Sequence, residues 1–355
     1  MKLRILFFLV LGFFSLYSQS PIFFGFRTKY GFIVPHHSEI RYLIDRHIHS
    51  YDLRLGVQTS GNKQWQFQWN YPDLGVGFYH TYLGKFLGSS TALYGYINLP
   101  IKRYKNYTFL MDYSLGCAYL SKPWGVDGSL NFAIGSHYNI FADLGFLNRF
   151  NFNNVSVAVG LDWTHFSNGG TKAPNLGLNV FGLAFQANYF LHYTQRKSKY
   201  SHKRYRIKSD ITVFGSWGKQ QHMVVEPQFD VYNITAEAGF LYSPKSKIIS
   251  GIDFTYNKRV EFNGDSSFKA LKIAPFAAYA AVFGSVEFIF KQAVILKNVS
   301  PDIIPREFIY QVYGLRMEVY RGFMLMLTLK TRWFNAQNIR FGIGYRLHLG
   351  KKQRF

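Results

Sequence analysis

Large apolar side chains recur at every second position over much of this chain. From Asn338 to Gly350, Ile339, Phe341, Ile343, Tyr345, Leu347 and Leu349 alternate with Arg340, Gly342, Gly344, Arg346, His348 and Gly350. From Phe323 to Trp333, Phe323, Leu325, Leu327 and Leu329 alternate with Met324, Met326, Thr328, Lys330 and Arg332. Successive side chains of a strand point to opposite faces, so each stretch predicts a strand with one greasy face and one small or charged face. A sandwich strand alternates too. Its polar face meets solvent, however, where repeated glycine weakens the strand for no gain. Lipid outside and a narrow polar lumen inside account for both faces.

Similar segments recur at about 22–34, 50–60, 74–84, 89–103, 107–121, 129–148, 155–168, 176–193, 205–219, 226–243, 247–260, 271–282, 284–296 and 307–321. Their lengths suit membrane-spanning strands of roughly 9–11 residues with turns between them. Two or three are weak. The least regular is 129–148, where Ile134-Gly135-Ser136-His137 predicts a bend or a short helix. The expectation is an all-β, antiparallel transmembrane barrel of about 14 strands, in a range of roughly 12–16, even in number. One closed sheet over residues 21–355 is expected rather than two small barrels. The basic run Gln195–Lys208 then reads as a long solvated turn between residues 21–193 and 194–355.

The termini fit export. Lys2 and Arg4 precede an apolar run from Ile5 to Leu16, and Ser18 and Ser20 follow it. That is the layout of a secretory signal peptide over residues 1–20. A run of roughly twelve residues falls short of the about 20 that a spanning helix needs. The last residue, Phe355, is similar to the terminal aromatic of outer-membrane barrels. The expected location is the outer membrane of a Gram-negative bacterium.

Composition sharpens this picture. The 355 residues include 26 Tyr and 36 Phe, a load that suits aromatic girdles. Trp65, Trp69, Tyr71 and Trp163 read as belt residues at the interface. The single cysteine, Cys117, excludes an internal disulfide and a cysteine zinc cluster. The net charge of +22 first suggests nucleic acid. Export and strand alternation argue against that, and a polyanionic lipid surface fits the charge as well. No glycine-rich phosphate loop follows a strand and opens a helix. His36, His37, His47 and His49 fall in one predicted outer loop, where scattered surface histidines are the commoner reading over a metal site. No metal or organic cofactor is expected.

The chemistry concentrates in the hairpin of 155–168 and 176–193. His165 and Ser167 share a face with Val155, Val157, Val159, Leu161 and Trp163. Asn179 shares its face with Phe181, Leu183, Phe185, Ala187 and Tyr189. Polar groups on a lipid-facing wall cost free energy unless paired, so three of them there suggest a purpose. Ester cleavage needs a hydroxyl nucleophile, a base for its proton and donors for the oxyanion. Ser167 and His165 supply the first two, and Asn179 would hold the ring. Asn168, Gly169 and Gly170 are the oxyanion candidates, although Asn168 has the wrong parity unless the strand ends there. Pro174, Asn175 and Gly177 shape the loop. Asp162, on the opposite face, is expected in the lumen beside a basic partner. The plain alternative is a hydroxyl and an imidazole paired at a barrel rim.

His165-Phe166-Ser167-Asn168-Gly169, then Pro174-Asn175-Leu176-Gly177 and the strand after it, resemble the signature of outer-membrane lipid A 3-O-deacylases (PagL-like, acyloxyacyl hydrolase family). The resemblance is clear over about residues 150–193, extends back to Pro21, and leaves 200–355 as additional strands. It implies a barrel whose N-terminal part is like the family's eight-stranded one, with its active site on the lipid-facing wall near the outer leaflet. It implies His165 as the catalytic histidine and Ser167 as the nucleophile. The family's acidic residue falls on Asn179, which is a departure. An amide can set the imidazole tautomer but cannot stabilise the imidazolium, although papain-like enzymes work with Asn. The implied activity is hydrolysis of an ester-linked acyl chain of lipid A, with lipopolysaccharide as substrate and outer-membrane lipid as surroundings. A non-catalytic barrel, either pore or binding protein, and a phospholipase remain alternatives. No nucleic-acid partner is implied. The oligomeric state is open, a homodimer included.

Overall fold

The computed structural model describes residues 21–191, 208–262, 270–296, 308–333 and 335–349. The signal-peptide stretch 1–20, all but the last residue of the basic run, and Phe355 lie outside them. The expected single sheet of about 14 strands is corrected: sixteen strands form two closed antiparallel barrels of eight. The first holds β1 (Ile22–Ile33), β2 (Ile48–Gln58), β3 (Asp73–Gly84), β4 (Gly88–Arg103), β5 (Tyr107–Leu120), β6 (Tyr138–Phe152), β7 (Val155–Ser167) and β8 (Leu178–Phe190). The second holds β9 (Lys208–Gln220), β10 (Phe229–Ser243), β11 (Ser246–Asn257), β12 (Leu271–Phe283), β13 (Val286–Val294), β14 (Ile309–Tyr320), β15 (Phe323–Arg332) and β16 (Asn335–Leu349). Closure is explicit in the pairing: β1 lies between β2 and β8, and β9 lies between β10 and β16.

Alternation along each strand is as expected. On β7, Val155, Val157, Val159, Leu161 and Trp163 are exposed, while Ser156, Ala158, Asp162 and Thr164 are buried. Phe166, the one large apolar residue on the even face, also points inward and packs on Tyr79 and Phe141, with ring centroids 6.0 and 5.8 Å away. On β16, Phe341, Ile343, Tyr345 and Leu347 face out. The glycines between them leave room for neighbours, since a Cβ on Gly344 would stand 2.4 Å from the Phe214 ring.

Eight strands suffice because side chains fill each lumen. In the first barrel Arg27 is wholly buried among four carboxylates: Asp52 at 3.0 Å, Asp112 at 3.2 Å, Asp162 at 3.3 Å, and Asp143 in closest contact. Lys29 bridges Asp143 at 2.6 Å and Asp162 at 2.7 Å, and Arg54 pairs with Asp112 at 2.5 Å. Asp162 thus has the lumenal position and basic partners expected of it. The second barrel is filled likewise. Arg316 bridges Glu237 at 2.5 Å and Glu287 at 2.7 Å, Lys247 meets Asp210 at 2.7 Å, and Lys291 meets Asp253 at 2.9 Å. Buried charges are tolerable only when paired in this way.

Candidate active site

The β7–β8 hairpin sets His165 directly opposite Asn179, and Trp163 opposite Phe181. His165 lies on the outward face, because Thr164 and Phe166 on either side are buried within the barrel. Its Nδ1 is 2.7 Å from Asn179 Oδ1. The same oxygen receives the Trp163 indole N–H at 3.1 Å. An indole nitrogen only donates, so the amide atom facing it is the carbonyl oxygen. A carbonyl oxygen only accepts, so the proton between His165 and Asn179 sits on His165 Nδ1. The neutral ring therefore carries its lone pair on Nε2, the form a general base needs.

The Asn179 amide nitrogen turns the other way and stands 3.1 Å from His36 Nδ1. His36 follows β1. Barrel closure brings it here: Ile33 pairs with Val180, and the Val34 N–H donates to the Asn179 carbonyl at 2.8 Å.

Ser167 ends β7, two residues after His165 and on the same strand parity. Its Oγ accepts the Gly169 N–H at 3.0 Å. It also lies 3.1 Å from Asn175 Nδ2 and 3.2 Å from Asn175 Oδ1. The Asn168 N–H donates to that Oδ1 at 2.9 Å, so Asn175 ties the serine to the loop. Gly169 has φ 67°, a left-handed conformation that glycine adopts without strain and that aims its N–H back at Ser167.

The other two oxyanion candidates also make hydrogen bonds within the loop. Asn168 Oδ1 accepts the Gly170 N–H at 3.1 Å, and Asn168 Nδ2 donates to the Lys172 carbonyl at 2.7 Å. These bonds engage the Gly170 N–H and one of the two N–H groups of the Asn168 amide within the turn. Gly177 and Asn175 tie the loop to the segment near residue 134. The Gly177 N–H donates to the Ala133 carbonyl at 3.0 Å, next to an isolated bridge of Ile134 with Asn175. The irregular segment near residue 134 is thus a loop that precedes β6.

His37 meets His36 edge-on, with ring centroids 4.8 Å apart, while His47 stacks on Tyr30 at 5.5 Å and His49 lies tilted against the same ring at 4.7 Å. Among the described residues no group of three or more His, Cys, Asp or Glu could hold a metal ion.

Two family models match the chain. Residues 49–188 match lipid A 3-O-deacylase (PagL), and residues 207–349 match the C-terminal domain of acyloxyacyl hydrolase. Together they span most of the sequence. The chain belongs to the PagL-like acyloxyacyl hydrolase family. Among solved structures, the outer-membrane enzyme PagL shares 21% identity, covering 46% of this chain and 97% of that one, at a TM-score of 0.32. A porin variant from Rh. blastica shares 10% identity, covering 92% and 99% of the two chains, at a TM-score of 0.21. No curated protein matches.

Within this family reading, sequence patterning missed three contributions. Trp163 was a belt residue by composition, yet its N–H sets the amide of Asn179. Asn175 was a loop former, yet both its side-chain polar atoms reach Ser167. His36 reads in the sequence only as one of four loop histidines, and nothing there links it to Asn179, 143 residues away.

Proposed function

We propose that the chain is an outer-membrane hydrolase that removes an ester-linked acyl chain from lipid A. The observation that carries the reading is the His165–Asn179 pair on the outward wall, with its ring tautomer fixed by Trp163. In the proposed cycle the Ser167 hydroxyl rotates from Asn175 toward His165. His165 Nε2 takes the proton as Oγ attacks the ester carbonyl. The alcohol of the ester leaves with that proton, and the acyl chain stays on Ser167. Water, deprotonated by His165, then releases the fatty acid. No metal enters these steps. The net charge of +22 favours a phosphorylated lipid. A pore is the less favoured reading, because ion pairs fill both lumens.

The test is mass spectrometry of lipid A from a heterologous outer membrane with and without this chain. Loss of one ester-linked acyl mass is expected. Unchanged lipid A, or acyl loss confined to glycerophospholipids, overturns the reading.

The oxyanion donors best placed for this cycle are the Gly169 N–H and Asn175 Nδ2, both already on Ser167 Oγ. Asn175→Ala is expected to lower kcat roughly 10²–10³-fold, as removal of one such donor does elsewhere. Steady-state assay of the purified variant in lipid A micelles checks this, and an unaltered kcat removes Asn175 from the role.

A further inference from the structure

The proposed hydrolase has an amide where its family places an acid, and the structure shows how an amide could serve. In a serine triad, changing the acid to its amide costs about four orders of magnitude because the amide favours the wrong imidazole tautomer. An amide is harmless only if its oxygen, not its nitrogen, is turned to the ring. Two groups here bear on that choice. Trp163 donates to the oxygen side at 3.1 Å. His36 meets the nitrogen side at 3.1 Å.

We propose that His36 is a positioning residue: its neutral ring accepts the Asn179 N–H at Nδ1 and so locks the amide oxygen onto His165. This rests on the hydrolase reading of the same site. Asn179 is buried, so its N–H needs an acceptor. His36 Nδ1 is also 3.4 Å from the Val34 carbonyl, a longer contact than the 3.1 Å to Asn179 Nδ2. The shorter contact assigns Nδ1 as acceptor and Nε2 as the protonated nitrogen. Flipping the amide would set an N–H against Trp163 and another against His165, and a carbonyl against the His36 lone pair. The network thus has one self-consistent arrangement, the one that leaves His165 Nε2 free to act as base. A carboxylate at position 179 would have no N–H to hold, so His36 is needed in this form only because residue 179 is Asn.

The test uses the full-length purified protein in lipid A micelles. His36→Leu is expected to lower kcat about tenfold with KM little changed, the scale of one positioning hydrogen bond. His36→Gln, which keeps an acceptor oxygen, restores most of the rate. In an Asn179→Asp background the His36→Leu loss shrinks to less than about threefold. Long-range ¹H–¹⁵N NMR of histidine-labelled protein reads the same proposal without turnover. The parent should show His165 protonated at Nδ1 and His36 at Nε2, and His36→Leu should add an Nε2–H population of His165. A parent with His36 protonated at Nδ1 overturns the proposal, and so does an equal kcat loss in both backgrounds without rescue by Gln. An inactive parent with the expected tautomers instead overturns the hydrolase reading and leaves the lock standing.

Discussion

Ser167→Ala is expected to cut lipid A deacylation by about ten-thousand-fold or more, and His165→Ala by a similar factor. The double variant should be no worse than either single one. In the proposed cycle nucleophile and base act as one unit: without Oγ no acyl-enzyme would form, and without the ring the hydroxyl would keep its proton. The residue that survives Ser167→Ala would reflect water held near the oxyanion donors, which the substitution leaves in place. Single-turnover assays with mass spectrometry of the lipid A product measure all three variants. Circular dichroism and heat-modified gel mobility check that each barrel is intact. Alanine at position 167 loses the contacts with Gly169 and Asn175. Asn175 keeps the Asn168 N–H, so the turn has a remaining tie. Parent-like turnover by Ser167→Ala would remove the serine mechanism. Losses that multiply in the double variant would mean that the two residues act separately.

The hairpin half of this site was legible in the sequence. Strand parity puts His165, Ser167 and Asn179 on the apolar face, and antiparallel pairing sets His165 opposite Asn179. The rest was hidden for two physical reasons. Parity ends where the strand ends, so it says nothing of residues 168–177. There, side-chain to backbone hydrogen bonds shape the turn: they engage Asn168 and Gly170 within it and place Asn175 on Ser167. Alternation also records which face a residue takes, not which strands close on each other. In one sheet of about 14 strands, β1 would lie far from β8, and His36 far from Asn179. Closure after eight strands makes them neighbours. What decides closure is the volume of the lumenal side chains, and a pattern of period two does not carry that quantity.

Those lumenal side chains underlie the second large effect. Arg27→Leu is expected to destabilise the first barrel by about 3–5 kcal/mol, the cost of leaving buried charges without their partner. Arg27 is fully buried and touches Asp52, Asp112, Asp143 and Asp162, which lie on β2, β5, β6 and β7. Without it, Lys29 and Arg54 remain to face the four carboxylates. The loss reaches the site through β7, since Asp162 and Thr164 are held by Lys29 on the inner face of the strand whose outer face bears His165. Adding Asp143→Asn and Asp162→Asn to Arg27→Leu should recover a large part of the stability, because removing both signs from a buried cluster is far cheaper than removing one. Urea unfolding of the barrel in detergent, followed by tryptophan fluorescence, measures each step. If the triple variant were as unstable as Arg27→Leu alone, the cluster would owe its stability to packing of the arginine stem and not to charge balance.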